Sequence, residues 1–477
     1  MALLTPSTGL SAAPALAPQD GHDFVVSHID DDAQLLAQTA MDIWNLAEVG
    51  YQEFESSGLL QTRLEEAGFR VETGIAGIPT AFVAEWGEGG PVIAIMGEFD
   101  ALPGVTQEAV PERAPRDDVA AGHACGHHLF GAGSVAAARA VKAWLESTGT
   151  PGRIRFYGTP AEEGGGGKVY LARGGVFSDV DAMLHWHPDS RNNASPRSSL
   201  ANKTAKFRFH GVSAHAAVAP ERGRSALDGV EAMNMMVNLM REHVPEQARI
   251  HYVITSGGSA PNVVPDFAEV YYYVRHPDAD VVAELFERLL DTAEGAALGT
   301  GTRVEHEVIS GVYALLPNDA LQQVMHASLM EVGGVSYTEE EAAFARAIQS
   351  SFEVAAPPLE TAAEVQDYGF LRGGGSTDVG DVSWVVPTGG VRIATWVPGT
   401  ASHSWQAVAA GGTTIGARGM VVAAKTLALS AVDLFQRPDV LEAARAERLE
   451  RIGPDYEYRP LIGDREPPLD YRAGSGN

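Results

Sequence analysis

The segment 122–128 has the residue types of a metal site. It contains the only cysteine of the chain, Cys125, two residues before His127, with Gly126 between them. A thiolate and an imidazole at this spacing can both reach one cation from a tight turn, and glycine allows the backbone to bend between them. A small buried cysteine beside a core histidine explains an isolated pair of this kind equally well. The neighbouring motifs therefore decide the interpretation.

A pair of adjacent acids, Glu162 and Glu163, follows a short apolar segment further along the chain. One carboxylate of such a pair can bind a metal while the other transfers protons. His185 and His187 follow the next apolar segment, and Asp100 follows an earlier one, although a lone aspartate there is often only a turn cap. Because functional groups cluster at the carboxyl ends of buried strands, this repetition predicts that the groups converge at one edge of a sheet.

The totals of the sequence limit the classes of protein. The chain has 477 residues, which at roughly 100–200 residues per domain predicts two domains or one domain with an insert. Sixty-two acids against 34 basic residues give a formal charge of −28, which argues against nucleic acid or an anionic membrane as a partner. No run approaches the roughly 20 apolar residues that span a bilayer. A single cysteine excludes an intramolecular disulfide, so we predict a reducing, cytoplasmic location.

The spacing of apolar residues predicts the elements that position these groups. The first twenty residues lack the basic start and apolar core of a signal peptide, and we predict a flexible arm over residues 1–30. Helical spacing predicts two helices between residues 31 and 68, joined by the turn 48–55, and an alanine-rich helix over 132–145. Strands are predicted over the apolar segments 80–85, 91–96 and 153–157.

The pattern changes near residue 203. Strand-like segments and two helices alternate over little more than a hundred residues. This predicts a compact α+β insert at about 204–315, with one helical face free to pair with a partner. The main domain then consists of residues 31–203 and 316–477, and its second part carries polar groups on the glycine-rich turns of 373–405.

The order of the motifs resembles that of the co-catalytic metallo-aminoacylase and carboxypeptidase superfamily. The matching segments are, in chain order, Asp100 to Pro103, Ala124 to His127, Pro160 to Glu163, His187 and His403. Within that superfamily the sequence is similar to the amidohydrolase branch, which uses Cys in place of a bridging Asp. The fuller strings GHACGHH, GTPAEEGG, WHPD, GGSTDVGDVSW and SHSWQ look like the subgroup that acts on aminobenzoyl-glutamate. The resemblance covers about residues 35–470.

The resemblance implies an α/β fold. A catalytic domain with a mixed central sheet flanked by helices would hold a dinuclear metal centre, and an inserted α+β lid domain would also mediate dimerisation. The implied cofactors are two divalent metal ions, manganese or zinc. Their implied ligands are Cys125, His127, Glu163, His187 and His403.

The resemblance also implies roles in catalysis and substrate binding. Glu162 would be the general base that activates the attacking water and then protonates the leaving amine, and Asp100 would orient a ligand histidine. His215 of the lid would stabilise the oxyanion, often in the site of the neighbouring subunit. Asn262 and Arg275 would bind the substrate carboxylate, a role that suits the bidentate guanidinium group.

Two histidines leave the ligand set open. His128 stands where many relatives carry Asp, so a metal-binding role for His128 itself is an alternative. His185 competes with His187, although the spacing from Asp181 and Ala182 favours His187.

The implied reaction is hydrolysis of an N-acyl or N-aroyl amino acid, with p-aminobenzoyl-glutamate as the expected type of substrate and glutamate as a product. One alternative is a carboxypeptidase or dipeptidase acting on small peptides. Another is a non-catalytic scaffold subunit of the same fold. A protein that has lost catalytic activity usually also loses metal ligands, whereas here the five implied ligands and the base are all present. We therefore expect an enzyme that forms a homodimer through the lid, with a hetero-subunit as a further candidate partner.

Overall fold

The computed structural model describes residues 18–473. The helices in this range are α1 (Pro18–Leu46), α2 (Phe54–Glu66), α3 (His127–Thr148), α4 (Gly167–Arg173), α5 (Ala226–Met240), α6 (Ala279–Thr300), α7 (Asp319–Val332), α8 (Glu339–Gln349), α9 (Val379–Val385), α10 (Trp405–Gly411), α11 (Thr414–Gln436) and α12 (Pro438–Ile452). The strands are β1 (Arg70–Thr73), β2 (Phe82–Glu88), β3 (Val92–Gly97), β4 (Leu102–Pro103), β5 (Ala121–Gly122), β6 (Gly152–Gly158), β7 (Ala182–Asp189), β8 (Ala201–His210), β9 (Arg249–Ser256), β10 (Phe267–His276), β11 (Arg303–Val312) and β12 (Thr388–Ala394).

A mixed six-stranded sheet forms the centre of the larger unit. Its strand order is β1-β2-β6-β3-β7-β12, in which β6, β3, β7 and β12 are parallel to one another and β1 and β2 are antiparallel to their neighbours. Every residue of β3 is buried, as expected for a strand covered on both faces. The predicted α/β class with a mixed central sheet flanked by helices is confirmed.

Small residues allow the helices to pack closely against this sheet. A Cβ atom on Gly133 of α3 would lie 2.9 Å from Met420 of α11 and 3.1 Å from Trp186 of β7. In the described part of the chain, α11 is the one helix long and apolar enough to cross a membrane, and most of it is buried against α1, α3 and β12. Its composition is therefore that of a core helix.

The second sheet is antiparallel and has a core of its own. Its strand order is β11-β8-β10-β9, and α5 and α6 pack on it through residues such as Phe209, Val270 and Leu289. The strands of this sheet lie between Ala201 and Val312, and the insert was predicted at 204–315. Strand β9 was not predicted, because it is an edge strand whose side chains are mostly exposed and show no apolar alternation.

The predicted flexible arm over residues 1–30 is wrong for residues 18–30, which belong to α1. Val25, Ile29 and Leu36 form a buried stripe of this helix, and helical spacing already begins at Val25. The remaining part of the predicted arm, residues 1–17, lies outside the described residues.

One ion-paired histidine fastens α1 to the main domain. His22 lies between two acids, with its Nδ1 3.1 Å from Glu331 of α7 and its Nε2 3.0 Å from Asp433 of α11. The hydrogen bond to Asp433 raises the pKa of His22 above its usual value of 6.5, against the opposing effect of burial. Because the folded-state pKa is raised, His22 contributes stability that is fully present below about pH 6.5 and is lost as the pH rises through the folded-state value.

We expect His22→Gln to lower the thermal midpoint by about 1–2 °C at pH 6 and to have little effect at pH 9. The reason is that only the protonated imidazole gains from both carboxylates. Thermal unfolding of the wild type and the variant at both pH values measures this difference. His28→Gln on the same helix is the matched control, and an equal loss of stability at both pH values would contradict the prediction.

Candidate metal centre

The parallel strands bring the predicted site residues to one edge of the central sheet. Asp100 follows β3, the acidic pair follows β6, and His187 lies near the end of β7. His403 lies in the loop after β12, and its backbone N–H donates to the carbonyl of Ala124, 3.0 Å away. That bond joins the loop after β12 to the segment that carries Cys125.

Three groups of donor atoms form among the described residues at this edge, and two of them share one sulfur. In the first group one atom each of Cys125, His127 and His187 lies within 4.8 Å of the others, with Sγ of Cys125 3.4 Å from Nε2 of His187. In the second group the same relation holds for Cys125, Glu163 and His403, with Nε2 of His403 3.2 Å from Oε1 of Glu163. Because Cys125 belongs to both of these groups, its sulfur would be available to a cation held by either one.

The orientation of His127 fits a metal ligand. Its Nδ1 donates to Oδ1 of Asp100 at 2.9 Å, and its Nε2 is buried without a hydrogen-bond partner. A carboxylate that fixes one ring nitrogen and leaves the other for the cation is a common arrangement in metal sites. The donors are a thiol, imidazoles and a carboxylate, which suit zinc and related transition metals. The described residues therefore fit the metal pair.

The two histidines left open by the sequence are separated by the structure. Nε2 of His128 donates to the carbonyl of Gly411 at 3.0 Å, so this ring is engaged away from the donor groups. His185 lines the cavity beside the donors, and its Nδ1 has no hydrogen-bond partner, but it belongs to none of these groups. The geometry favours His187 as the ligand.

Two buried carboxylates hold the loop that carries the acidic pair. The N–H of Ala161 donates to Oε1 of Glu53 at 2.8 Å, and the N–H of Glu163 donates to Oδ2 of Asp100 at 2.8 Å. Ala161 has a φ of 58°, a left-handed conformation that an L-residue adopts only when its surroundings hold it there. Asp100 thus orients both a histidine and the loop of the acids.

Sequence reasoning missed Glu53, because the turn 48–55 was interpreted as a plain helix connection. The side chain is fully buried, and its Oε2 accepts a hydrogen bond from Oγ1 of Thr80 at 3.1 Å. Burial, together with the charge of Asp100, raises the pKa of Glu53 well above its ordinary value. The turn shows no local signal of this role, since the partners of Glu53 are remote in sequence.

A buried lysine was also missed. Nζ of Lys168 lies 2.7 Å from Oε1 of Glu98 and 2.8 Å from Oδ1 of Asp378. Gly167, directly before Lys168, allows a tight turn beside the acids, because a Cβ there would lie 2.1 Å from the carbonyl oxygen of Pro160. Close approach of the backbone at this point brings Lys168 to Glu98, which lines the cavity beside the donor groups.

A segment near the C-terminus packs on the same loop. The hydroxyl of Tyr471 donates to the carbonyl of Glu163 at 3.1 Å, and the guanidinium of Arg472 donates to the same oxygen. Nε2 of Gln52 in turn donates to the carbonyl of Leu469 at 2.8 Å. The loop of the acidic pair is therefore covered by the C-terminal part of the described chain, which the turn after α1 also contacts.

The environment of Glu162 suits proton transfer. Its carboxyl group lines the cavity beside the two groups that share Cys125. Removal from water raises the pKa of Glu162 well above its ordinary value, and the charges of Glu98 and Glu163 add to this effect. A carboxyl group with a raised pKa is a better proton acceptor and can return the proton later in a reaction.

A cavity of about 370 Å³ opens from the donor groups toward a glycine-rich loop and the end of β12. Arg275 of β10 reaches this region, since its Nη1 donates at 3.0 Å to the hydroxyl of Ser376, which lines the cavity. His215 and Asn262 do not line it. They lie together on an exposed part of the second unit, where the N–H of Ala216 donates to the carbonyl of Asn262 at 3.0 Å.

Comparison with known proteins assigns the family. Residues 94–364 match the model of peptidase family M20/M25/M40, and this range contains the acidic pair and four of the five predicted ligands. The chain belongs to peptidase family M20/M25/M40. As a member of this family it is a metal-dependent amidohydrolase.

Two relatives of this family member cover nearly the whole chain. The B component of p-aminobenzoyl-glutamate hydrolase from Escherichia coli (strain K12) is 41% identical over 90% of this chain and 95% of its own length. Xaa-Arg dipeptidase from Mus musculus is 32% identical over 88% of this chain and 90% of its own length. Among solved structures, a dinuclear metal-binding peptidase of family M20 from Bacillus subtilis has the same fold, with a TM-score of 0.59 and 19% identity over 85% of this chain and 99% of that one.

We expect His187→Ala to weaken the binding of one of two metal ions by about 100-fold or more, because it removes one member of the first donor group. His185→Ala, two residues earlier on the same strand, is the matched control and should retain both ions. Metal titration followed by mass-spectrometric metal analysis of the desalted proteins measures this. Retention of both ions by His187→Ala and loss of one by His185→Ala would reverse the assignment.

Proposed function

We propose that this family member hydrolyses the amide bond of N-acyl or N-aroyl amino acids and releases glutamate from substrates such as p-aminobenzoyl-glutamate. The observation that carries the proposal is the pair of donor groups that share Cys125, with Glu162 beside them in the cavity. The 41% identity to the B component of the Escherichia coli hydrolase supports the substrate.

The proposed chemistry divides between the metal pair and the acids. Cys125, His127, Glu163, His187 and His403 would hold two divalent cations, which when bound would polarise the scissile carbonyl and lower the pKa of water toward ~7. Glu162 takes a proton from the attacking water and later delivers it to the leaving amine. Asp100 holds His127 and the backbone of Glu163 in place while this happens.

The charges of the cavity support an acidic product. The carboxylates that line it are those of Glu98, Glu162 and Glu163, which all lie beside the donor groups. Elsewhere the charged lining side chains are Arg197 and Arg392, and Arg392 is paired with Asp189 at 3.2 Å. A guanidinium group binds a carboxylate through two parallel hydrogen bonds. The part of the cavity that Arg197 and Arg392 line therefore suits the side-chain carboxylate or the α-carboxylate of glutamate.

A dipeptidase is the second candidate function. The observation that favours it is the 32% identity to Xaa-Arg dipeptidase over most of both chains. The cationic lining by Arg197 argues against an arginine side chain in the same place. A panel of p-aminobenzoyl-glutamate, N-acetyl amino acids and dipeptides would separate the two functions.

The unit around the second sheet is proposed to be a lid that also forms a homodimer. Exposed apolar side chains support this: Met235 and Leu239 of α5 are 68% and 67% exposed, and Val253 of the edge strand β9 is 55% exposed. Such a face is typical of an interface, and an edge strand can pair with a second copy. His215 and Asn262 would then reach the site of the neighbouring subunit.

Three finer assignments complete the proposal. The metal is manganese or zinc, since the thiol favours zinc while the carboxylate also suits manganese. A hetero-subunit is a further candidate partner, because the Escherichia coli hydrolase has two components, named A and B, and each is similar to this chain. A cytoplasmic location agrees with the free thiol of Cys125.

Glu162→Gln should lower the rate of glutamate release by about 10²–10⁴-fold, because the amide cannot accept a proton. Both metal ions should remain bound. The measurement is release of free glutamate from p-aminobenzoyl-glutamate by the metal-loaded protein. Glu65→Gln, the same change at an exposed position of α2, is the matched control, and equal activity of the Glu162 variant and the wild type would end the assignment of the base.

Mixing two inactive variants tests whether His215 acts across a dimer. His215→Ala and Glu162→Gln proteins, each inactive alone, should regain about a quarter of wild-type activity after subunit exchange, because half of the dimers are mixed and each mixed dimer has one complete site. Activity is measured before and after exchange, with wild-type protein treated identically as the control. A mixture that forms dimers and stays inactive would show that His215 does not complete the partner's site.

A further inference from the structure

Glu98 lies at the donor end of the cavity and has no part in the ligand set described above. It follows β3 directly and is 1% exposed. Its Oε1 is fixed by Lys168, whose ammonium group is held on its other side by Asp378. Oδ2 of Asp378 also accepts the backbone N–H of Lys168 at 2.9 Å. The carboxylate of Glu98 therefore has a defined orientation, set through one of its two oxygens.

The second oxygen faces a metal ligand. Oε2 of Glu98 lies 3.0 Å from Nε2 of His127, a buried contact at ion-pair distance, and neither atom has another partner among the described residues. Nδ1 of His127 already donates to Asp100, so a proton or a cation at Nε2 would face Oε2 of Glu98. A cation in that place would have the two atoms as neighbouring ligands.

The spacing of these two atoms is that of neighbouring ligands of one cation. Metal–nitrogen and metal–oxygen distances near 2.1 Å place two ligands at right angles about 3 Å apart. One carboxylate oxygen of Glu162 also lies within 4.8 Å of both atoms. A cation at this position would interact with both atoms, which in the described part of the chain otherwise contact only each other.

We propose that Glu98 is a further ligand of the cation that His127 holds, with Lys168 as the residue that positions it. The inference rests on the proposed metal-dependent function and extends its ligand set. It adds a hard oxygen donor beside the nitrogen of His127. Such a donor favours a cation that accepts more than four ligands, such as manganese, over four-coordinate zinc.

Metal titration of full-length Glu98→Gln tests the inference. The metal-free protein is titrated with Mn²⁺ by calorimetry and, separately, with Co²⁺ while the visible spectrum is recorded. We expect one of two ions to bind about 100-fold or more weakly and the other to bind within about twofold of wild type. We also expect the cobalt bands of the first ion to change in position and intensity, because its set of ligands has changed.

Two variants serve as references. Glu163→Gln should weaken the other ion and leave the first unchanged. Glu98→Asp keeps the charge that Lys168 requires but withdraws the carboxylate by one methylene group, so it should fold and still bind the first ion more weakly than wild type. It therefore decides the question if Glu98→Gln does not fold.

Binding of both ions with wild-type affinity and an unchanged cobalt spectrum in Glu98→Gln, or in Glu98→Asp if that variant alone folds, would overturn the proposal. Glu98 would then be only the counter-ion of Lys168. Such a result would leave the proposed function intact, provided that the wild type binds two ions and releases glutamate. A wild type that binds no pair of ions would instead contradict the proposed function itself.

Discussion

Buried like charges repel one another strongly unless a cation lies among them. At the carboxyl edge of the central sheet, Glu98 and Asp378 share the ammonium group of Lys168, and Glu162 lies close enough for its pKa to respond to both acids. Removing one partner of such a group leaves an uncompensated buried charge, which typically destabilises a protein by about 3–5 kcal/mol. The buried acids at this edge therefore depend on the position of Lys168. The glycines before Lys168 allow the backbone to reach that position.

Backbone strain is a second feature of this edge. Ala161, directly before the acidic pair, and His403, a predicted ligand, both have positive φ values, 58° and 60°. A left-handed conformation costs about 1–2 kcal/mol for a residue with a side chain. Hydrogen bonds from Ala161 to Glu53 and from His403 to Ala124 hold the two residues in place. Both loops are thus fixed before any ligand binds, which favours a preorganised site.

The parts of the fold that depend on local pattern were predictable. The nearly continuous apolar run at 91–96 identified β3, the short strand-like segment 153–157 identified β6, and both placed Asp100 and the acidic pair at strand ends. The remaining parts depend on contacts between distant segments. Lys168 and Asp378 are 210 residues apart, and Glu53 and Ala161 are 108 apart, so neither pair leaves a periodic signal. Strand β9 and the start of α1 were missed for a different reason, since one is exposed and the other follows a segment whose composition resembles a linker.

The contacts of Tyr471 and Arg472 with the carbonyl of Glu163 have a consequence for biosynthesis. Translation is directional, and every group of the metal centre precedes these two residues in the chain. The loop of the acidic pair can therefore reach its final enclosure only after the ribosome has released the segment around residue 470. A nascent chain paused before that point lacks both hydrogen bonds to the carbonyl of Glu163, so its acidic loop would be more exposed.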